Sequence, residues 1–378
     1  MTEETRGLEV EFAALPSVVL EEFQRARTLV NGVFDEHDVE AWGREGLAIA
    51  NQTQRSWEAA AEYFRASPEV ARYLTVPAFL QWSRSGAALS QDSPSLAVAY
   101  FKASPGIVSN LRPQNIAKWA ALGRSLYKGT WKSGVLATRF FDLGPELMRN
   151  VPFWDVELFV GLLESLSYKS YDGATECLSL GTRVLSSLGK EREAFISMSR
   201  AIADSDWREM KGCLDSGTKA VAAVEENERV RFLRLSERLA RAGGTGMDAF
   251  LTDAARTFAQ VSPTEHRHVL DMFELLLSRT AEAVPAYMRS LPAVLSRITF
   301  NQLETWFTEG VRILQENPEG GLAFFRLESS TSEQLLESLS SSLELERVHE
   351  VMRMYCRALA GASIEIASSK ELADKGIG

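Results

Sequence analysis

Four tryptophans recur in the same local setting, and this recurrence limits what the chain can fold into more than any other feature. Trp42, Trp82, Trp119 and Trp306 are each followed by a glycine four residues on and an aliphatic residue seven on: Gly46 and Ile49, Gly86 and Leu89, Gly123 and Leu126, Gly310 and Ile313. Degenerate copies fill the gap at Phe159, Leu163 and Leu166; Phe195, Ser199 and Ile202; Phe232, Ser236 and Leu239; and Phe273, Leu277 and Thr280. Successive anchors lie 40, 37, 40, 36, 37, 41 and 33 residues apart. Residues i, i+4 and i+7 share one face of an α-helix, so each triplet predicts a core-facing stripe whose small middle residue lets another backbone approach.

A second landmark follows some of the anchors. A bulky pair and then a turn signal stand in Tyr63-Phe64-Arg65-Ala66-Ser67-Pro68, Tyr100-Phe101-Lys102-Ala103-Ser104-Pro105 and Phe140-Phe141-Asp142-Leu143-Gly144-Pro145, with an echo at Phe324-Phe325. From anchor to second bulky residue the offsets are 22, 19, 22 and 19, which predicts rigid helices joined by an inner loop of variable length. Ser-Pro reads as a helix start, because Ser can cap an orphan N–H and Pro has none to lose in the first turn. Ser93-Pro94 and Asn317-Pro318 are similar starts, and Ser262-Pro263-Thr264-Glu265 reads as a capping box. Alternating Val, Ile and Thr runs bounded by Asn-Gly or Asp-Gly are missing, so strands are not expected.

Two or three helices per unit of near 37–40 residues predict an all-α fold, an α-solenoid of HEAT/armadillo-like repeats. The expected organisation is a repeat array over 1–328 of about eight units, with a loop or hinge at the glycine cluster near 242–246. Terminal helices and a linker towards a further domain are expected over 329–378.

The 378 residues carry 41 basic and 51 acidic side chains, a net charge of −10, which leaves no footprint for nucleic acid. No run approaches the ~18 apolar residues of a membrane span, and the first residues do not read as a signal peptide, so a soluble cytoplasmic protein is expected. Cys177, Cys213 and Cys356 are odd in number and widely separated, which argues against disulfides and thiolate metal sites. Gly189-Lys190 fails the phosphate-loop pattern, and Gly243-Gly244-Thr245-Gly246 lacks the dinucleotide fingerprint. His266 and His268 are spaced to point apart on a helix, and Glu36-His37-Asp38 reads as the start of one, so no metal or other cofactor is expected.

Arg231, Arg234, Arg238 and Arg241 follow 3-4-3 spacing opposite the stripe of Phe232, Leu235, Ser236 and Leu239. They read either as a surface for an acidic partner, since Arg forks bind carboxylates, or as a solvated face balanced by Glu225, Glu228 and Glu237. Trp57, Trp131, Trp154 and Trp207 fall outside the anchor position, and any that is exposed becomes a candidate binding hot spot.

The Trp-x3-Gly repeats, together with the tail Ala367-Ser368-Ser369-Lys370-Glu371-Leu372-Ala373-Asp374-Lys375-Gly376-Ile377-Gly378, resemble the helical region that precedes a von Willebrand factor A domain in bacterial metalloenzyme-activation accessory proteins. These are of the nitric-oxide-reductase-activation and CoxE-like types. The resemblance covers this chain and none of the A domain, and the glycine-bounded end reads as the start of a linker. It implies protein partners, among them a MoxR-type AAA+ ATPase and a metalloenzyme client. No DxSxS metal motif of that family occurs here, so no functional residue is carried over. The expected function is a non-catalytic interaction scaffold; the alternatives are a stand-alone α-solenoid adaptor or regulator and an enzyme with an inter-helix site that no motif betrays. If Trp119 is core, Trp119→Ala should cost about 3–5 kcal/mol in chemical denaturation, and a negligible change would mean that the repeat register is wrong.

Overall fold

The computed structural model describes residues 11–326, apart from 13, 54–55, 129–132, 244–245, 296–299 and 317. The predicted terminal helices and linker of 329–378, with His349, Cys356 and the tail that carries the resemblance, lie outside the described residues, as does Trp131. Among the described residues the fold is all-α, with no strand. The chain divides into two compact units, one ending at Ile196 and the other starting at Ser197.

The first unit begins with α1 (Ser17–Val30) and continues in helical hairpins: α2 (Glu36–Ala50) with α3 (Trp57–Ala71), α4 (Val76–Asp92) with α5 (Pro94–Val108), α6 (Ile116–Lys128) with α7 (Ser133–Asn150), and α8 (Phe153–Lys169) with α9 (Tyr171–Ser187). The unit boundary falls within α10 (Arg192–Asp206). Next come α11 (Met210–Ala223), then α12 (Arg229–Arg241) with α13 (Met247–Gln260), α14 (His266–Arg279) with α15 (Ala283–Leu295), and α16 (Phe300–Glu316) with α17 (Pro318–Arg326). The anchors predicted from sequence all fall on the even-numbered helices. Within each unit the odd-numbered helices pack against one another in succession, α1, α3, α5, α7 and α9 in the first and α11, α13, α15 and α17 in the second.

The reason for glycine at the fourth position is a ring. A β-carbon on Gly46, Gly86 or Gly123 would lie 2.0, 2.0 or 2.1 Å from the Cζ of Phe64, Phe101 or Phe141, and one on Gly310 would lie 2.6 Å from Phe325. Each of these rings meets the anchor tryptophan of its own hairpin edge to face, with centroids 5.1, 5.2, 5.9 and 5.4 Å apart. Where the other member of the bulky pair is a tyrosine it faces the next hairpin, whereas Phe140 and Phe324 stack on the tryptophan of their own hairpin, at 4.4 and 5.2 Å. Tyr63 stacks on Trp82 at 5.3 Å, and Tyr287 stacks on Trp306 at 6.3 Å. Their hydroxyls are buried and satisfied locally: Tyr63 donates to the Trp42 carbonyl at 3.1 Å, and Tyr287 to the Met272 sulfur at 3.2 Å.

In the hairpin of α8 and α9 the parts are exchanged. Leu163 fills the usual glycine position, Phe159 supplies the ring from the first helix, and Gly181, 22 residues later, receives it from the second.

The copy at Phe273 is in the wrong register. His266 begins α14 after a 3-10 turn at Pro263–Glu265, as Ile116 begins α6 after one at Pro113–Asn115, so Val269 stands where Trp119 does. With Val269 as anchor the intervals of 41 and 33 both become 37. The bulky pairs agree: Cys213-Leu214, Phe250-Leu251 and Tyr287-Met288 join those found from sequence. From the second member to the following anchor is 18 residues in 64–82, 101–119, 141–159, 214–232, 251–269 and 288–306. Phe273 thus occupies the glycine position, fully buried, opposite the slender Met288 as the corresponding bulky residue.

The prolines after the bulky pairs also depart from expectation. Pro68, Pro105, Pro145 and Pro292 do not mark turns or helix starts; they lie inside α3, α5, α7 and α15. Each removes the N–H that would bond the carbonyl four residues back. For Pro292 the structure supplies a substitute, since the Thr257 hydroxyl on α13 donates to the Met288 carbonyl at 3.1 Å. Nearby, Ser67 and Ser104 donate to the carbonyls of Tyr63 and Tyr100 at 2.6 Å. By contrast, Pro94 and Pro318 do begin helices. The predicted capping box does not form: Ser262 pairs its hydroxyl with Thr264, while the Glu265 N–H bonds the Ser262 carbonyl.

The glycine loop at 242–246 lies inside the second unit. Gly243 and Gly246 have φ of 84° and 74°, a region that disfavours a β-carbon. Glu209 accepts the N–H groups of Gly246 and Met247 at 2.8 and 2.5 Å, at the start of α13.

Glycine to alanine inside a helix ordinarily gains about 1 kcal/mol. At Gly86 the new methyl would displace the Phe101 ring, so Gly86→Ala should instead lose about 1–3 kcal/mol in urea denaturation. Phe101→Leu in the same chain should recover part of that loss, and strict additivity of the two changes would rule out the ring as the cause.

Candidate interaction surface

The corrected register identifies five positions on each anchor-bearing helix, spaced 4-3-4-3 and starting five residues before the anchor, that point outward except on α10, where Ala194 and Ala201 are buried. In the Trp82 hairpin they are Pro77, Gln81, Arg84, Ala88 and Gln91; in the Trp119 hairpin Gln114, Lys118, Ala121, Ser125 and Lys128. Around Val269 they are Thr264, His268, Asp271, Leu275 and Ser278, all exposed. These are ordinary solvated faces with an isolated apolar residue at most.

Helix α8 differs. Its five positions are Trp154, Leu158, Gly161, Ser165 and Tyr168, with Trp154 56% exposed, Leu158 36% and Tyr168 72%. The opposite side is also apolar, because Val156, Phe159, Val160, Leu162, Leu163 and Leu166 are buried. Charged residues on α8 are confined to Asp155, Glu157, Glu164 and Lys169, and a helix apolar on two sides is normally enclosed. Here one side is left to solvent, and it carries the exposed tryptophan that the sequence marks as a hot-spot candidate. Trp57 and Trp207 are only half-buried, and Trp207 lies under the Arg208 guanidinium at 5.3 Å.

Beside the amino-terminal end of α8 is an open groove of about 720 Å³ whose rim includes Trp154. Its charged side chains are Arg112, Lys118, Arg149, Arg192 and a single carboxylate, Glu157. Lys118 reaches Glu157 only at 4.0 Å, and Arg192 is spent on the Leu185 and Asn150 carbonyls, at 2.7 and 3.2 Å. Arg112 and Arg149 are exposed and make no ion pair among the described residues. In a chain of net charge −10 this is a local cationic site.

The arginines singled out from sequence occupy four of the same outward positions on α12, and they are engaged. Arg231 pairs with Asp271 and Glu274 of α14 at 2.7 and 2.8 Å, and Arg238 reaches Glu274 at 2.9 Å. Arg234 and Arg241 both hold Glu237, at 3.2 and 2.8 Å. Hydrogen bonds from Arg231 and Arg238 hold Glu274 below the usual carboxylate range. Glu225 does not serve as a counter-charge for these arginines; its carboxylate binds Asn227, and its N–H donates to His266. Arg231 and Arg238 therefore tie α12 to α14, while Arg234 and Arg241 are paired within α12.

Remaining candidates for chemistry are structural. His266 is buried, accepting the Glu225 N–H at Nδ1 (2.9 Å) and facing the Phe258 and Val261 carbonyls with Nε2 (3.0 and 3.1 Å), which fixes the neutral Nε2–H tautomer. Cys177 is buried, its thiol pushed up to about 12 by desolvation, and Cys213 is buried and also raised. His37 follows Glu36 in the first turn of α2, capped by Asp35. Among the described residues no group of three or more His, Cys, Asp or Glu is placed to hold a metal ion, and no helix is long and apolar enough to cross a membrane. Comparison with protein-family models, with curated proteins and with solved structures finds no match for this chain.

Asp155, in the first turn of α8, is buried with Oδ1 unpartnered. Burial raises its carboxyl above the usual range; Arg192 opposes this and Glu193 adds to it. The folded value lies above the unfolded one, so the ionised group weakens the fold at neutral pH, and this weakening is lifted as pH falls through the folded value. Asp155→Asn should therefore melt higher than the parent at neutral pH, with the gap closing towards about pH 4. A gap that widens on acidification would contradict the assignment.

Proposed function

We propose that this chain is a non-catalytic protein-interaction scaffold, an α-solenoid of helical repeats, of the kind that precedes a von Willebrand factor A domain and works with a MoxR-type AAA+ ATPase on a metalloenzyme client in the cytoplasm. The observation that carries the scaffold reading is the outward side of α8, where Trp154, Leu158 and Tyr168 are exposed at positions that are largely polar in neighbouring repeats. Exposed aromatic residues on a repeated framework are the ordinary means by which such proteins bind others. The accessory-protein reading is supported by the resemblance of the Trp-x3-Gly repeats and the tail.

The test is to mix the purified chain with a MoxR-type ATPase from the same source and follow co-sedimentation together with ATP hydrolysis. A complex with Kd in the micromolar range or tighter, and a changed hydrolysis rate, is the expected outcome. Absence of both at high protein concentration would remove the accessory-protein assignment.

A further inference from the structure

We infer that the exposed side of α8 is the seat for an acidic amphipathic helix of a protein partner, its apolar stripe laid along Trp154, Leu158, Gly161 and Tyr168 and its carboxylates at Arg112 and Arg149. This rests on the scaffold reading and specifies the partner.

Three features select this occupant. The spacing 154, 158, 161, 165, 168 is the 4-3-4-3 seam by which one helix packs along another, and it runs for about 21 Å, or four turns. Gly161 and Ser165 in the middle present little side chain, so a second helix can come close between the large residues at either end. The carboxy-terminal end of α8 carries only Lys169 as a cation, beside Tyr168, whereas cations gather at the amino-terminal end, where Arg112 and Arg149 have no ion-pair partner among the described residues and Lys118 and Arg192 line the same groove. A helix with acidic residues at that end gains charge complementarity, and acidic residues in its own first turn also suit its dipole. Trp and Tyr at the two ends are the residue types that most often dominate binding energy.

Two synthetic peptides of about four turns serve as probes, both with Leu at 4-3 spacing, one with Glu and Asp at the remaining positions and the other with Lys there. Binding to the full chain is read by fluorescence anisotropy of a peptide label. The acidic peptide should bind and the basic one should not. Trp154→Ala and Tyr168→Ala should each weaken the acidic peptide at least about tenfold, and Arg112→Glu with Arg149→Glu should weaken it by a similar factor. All three sets of changes are at exposed side chains, so unchanged melting and circular dichroism keep the comparison valid, and Gln81→Ala on α4 should have no effect. Equal binding of the basic peptide would overturn the inference, as would indifference to Trp154→Ala or a Trp154-dependent dimer of the chain. Capture by vesicles of anionic lipid, with no peptide binding, would overturn it too. If the ATPase binds the parent and the Trp154→Ala variant equally, the seat is wrong and the scaffold reading stands. If the acidic peptide binds as expected and the ATPase does not, the seat stands and the accessory-protein reading falls.

Discussion

An aromatic ring seated on a bare helix backbone holds each of the best-formed hairpins together. The glycine four residues after each anchor tryptophan has no side chain, so the facing phenylalanine reaches the helix surface and meets the indole edge to face. Burying that much aromatic area in one contact fixes the distance and rotation of the two helices at once. Where the neighbouring residue in the bulky pair is Tyr63, Tyr100 or Tyr287 it faces the next hairpin, so adjacent positions on one helix join two layers. Where the glycine is replaced, size is redistributed. Phe273 stands with the narrower Met288, and Leu163 is matched by moving the ring to Phe159 and the glycine to Gly181.

This arrangement explains what the sequence could and could not disclose. A tryptophan with a glycine one helical turn later is conspicuous, and the hairpins with both residues were legible with their core stripes. Conservation of total volume between facing helices is not visible in a single-helix pattern. Phe273 therefore looked like an anchor because it is large, although it fills the position that is small elsewhere. The prolines misled for a related reason: Ser-Pro is a common helix start, and the tertiary hydroxyl of Thr257 that serves the Met288 carbonyl comes from a helix more than thirty residues away.

The candidate surface was only half legible. Helical spacing finds Glu228 and Glu237 as partners of these arginines, but Asp271 and Glu274, which hold Arg231 and Arg238, belong to another helix and no pairing rule within α12 predicts them. The stripe on α8 was available in principle, since its positions follow from the anchor at Phe159 by simple counting. Trp154 stands out in the sequence as a tryptophan outside the anchor position, but nothing sets Leu158 and Tyr168 apart from the core residues of a helix already rich in them. Only burial distinguishes the side that packs from the side that does not.

The constant and variable stretches of the repeat divide the chain into material that can be edited and material that cannot. Between the second bulky residue and the following anchor the count is 18 in six repeats. The extra three residues of the longer repeats fall between the first and second helices, as at 51–56, where the hairpin of α4 and α5 has only Ser93. A tag, a protease site or a small inserted domain placed in the junction at 51–56 leaves every later layer in phase. The same insertion after Phe64 puts Trp82 out of step with Tyr63. Duplication or deletion of whole units is likewise conservative only when the cuts fall at equivalent points of the count, which marks the 37-residue block as the natural module for shortening or lengthening the array.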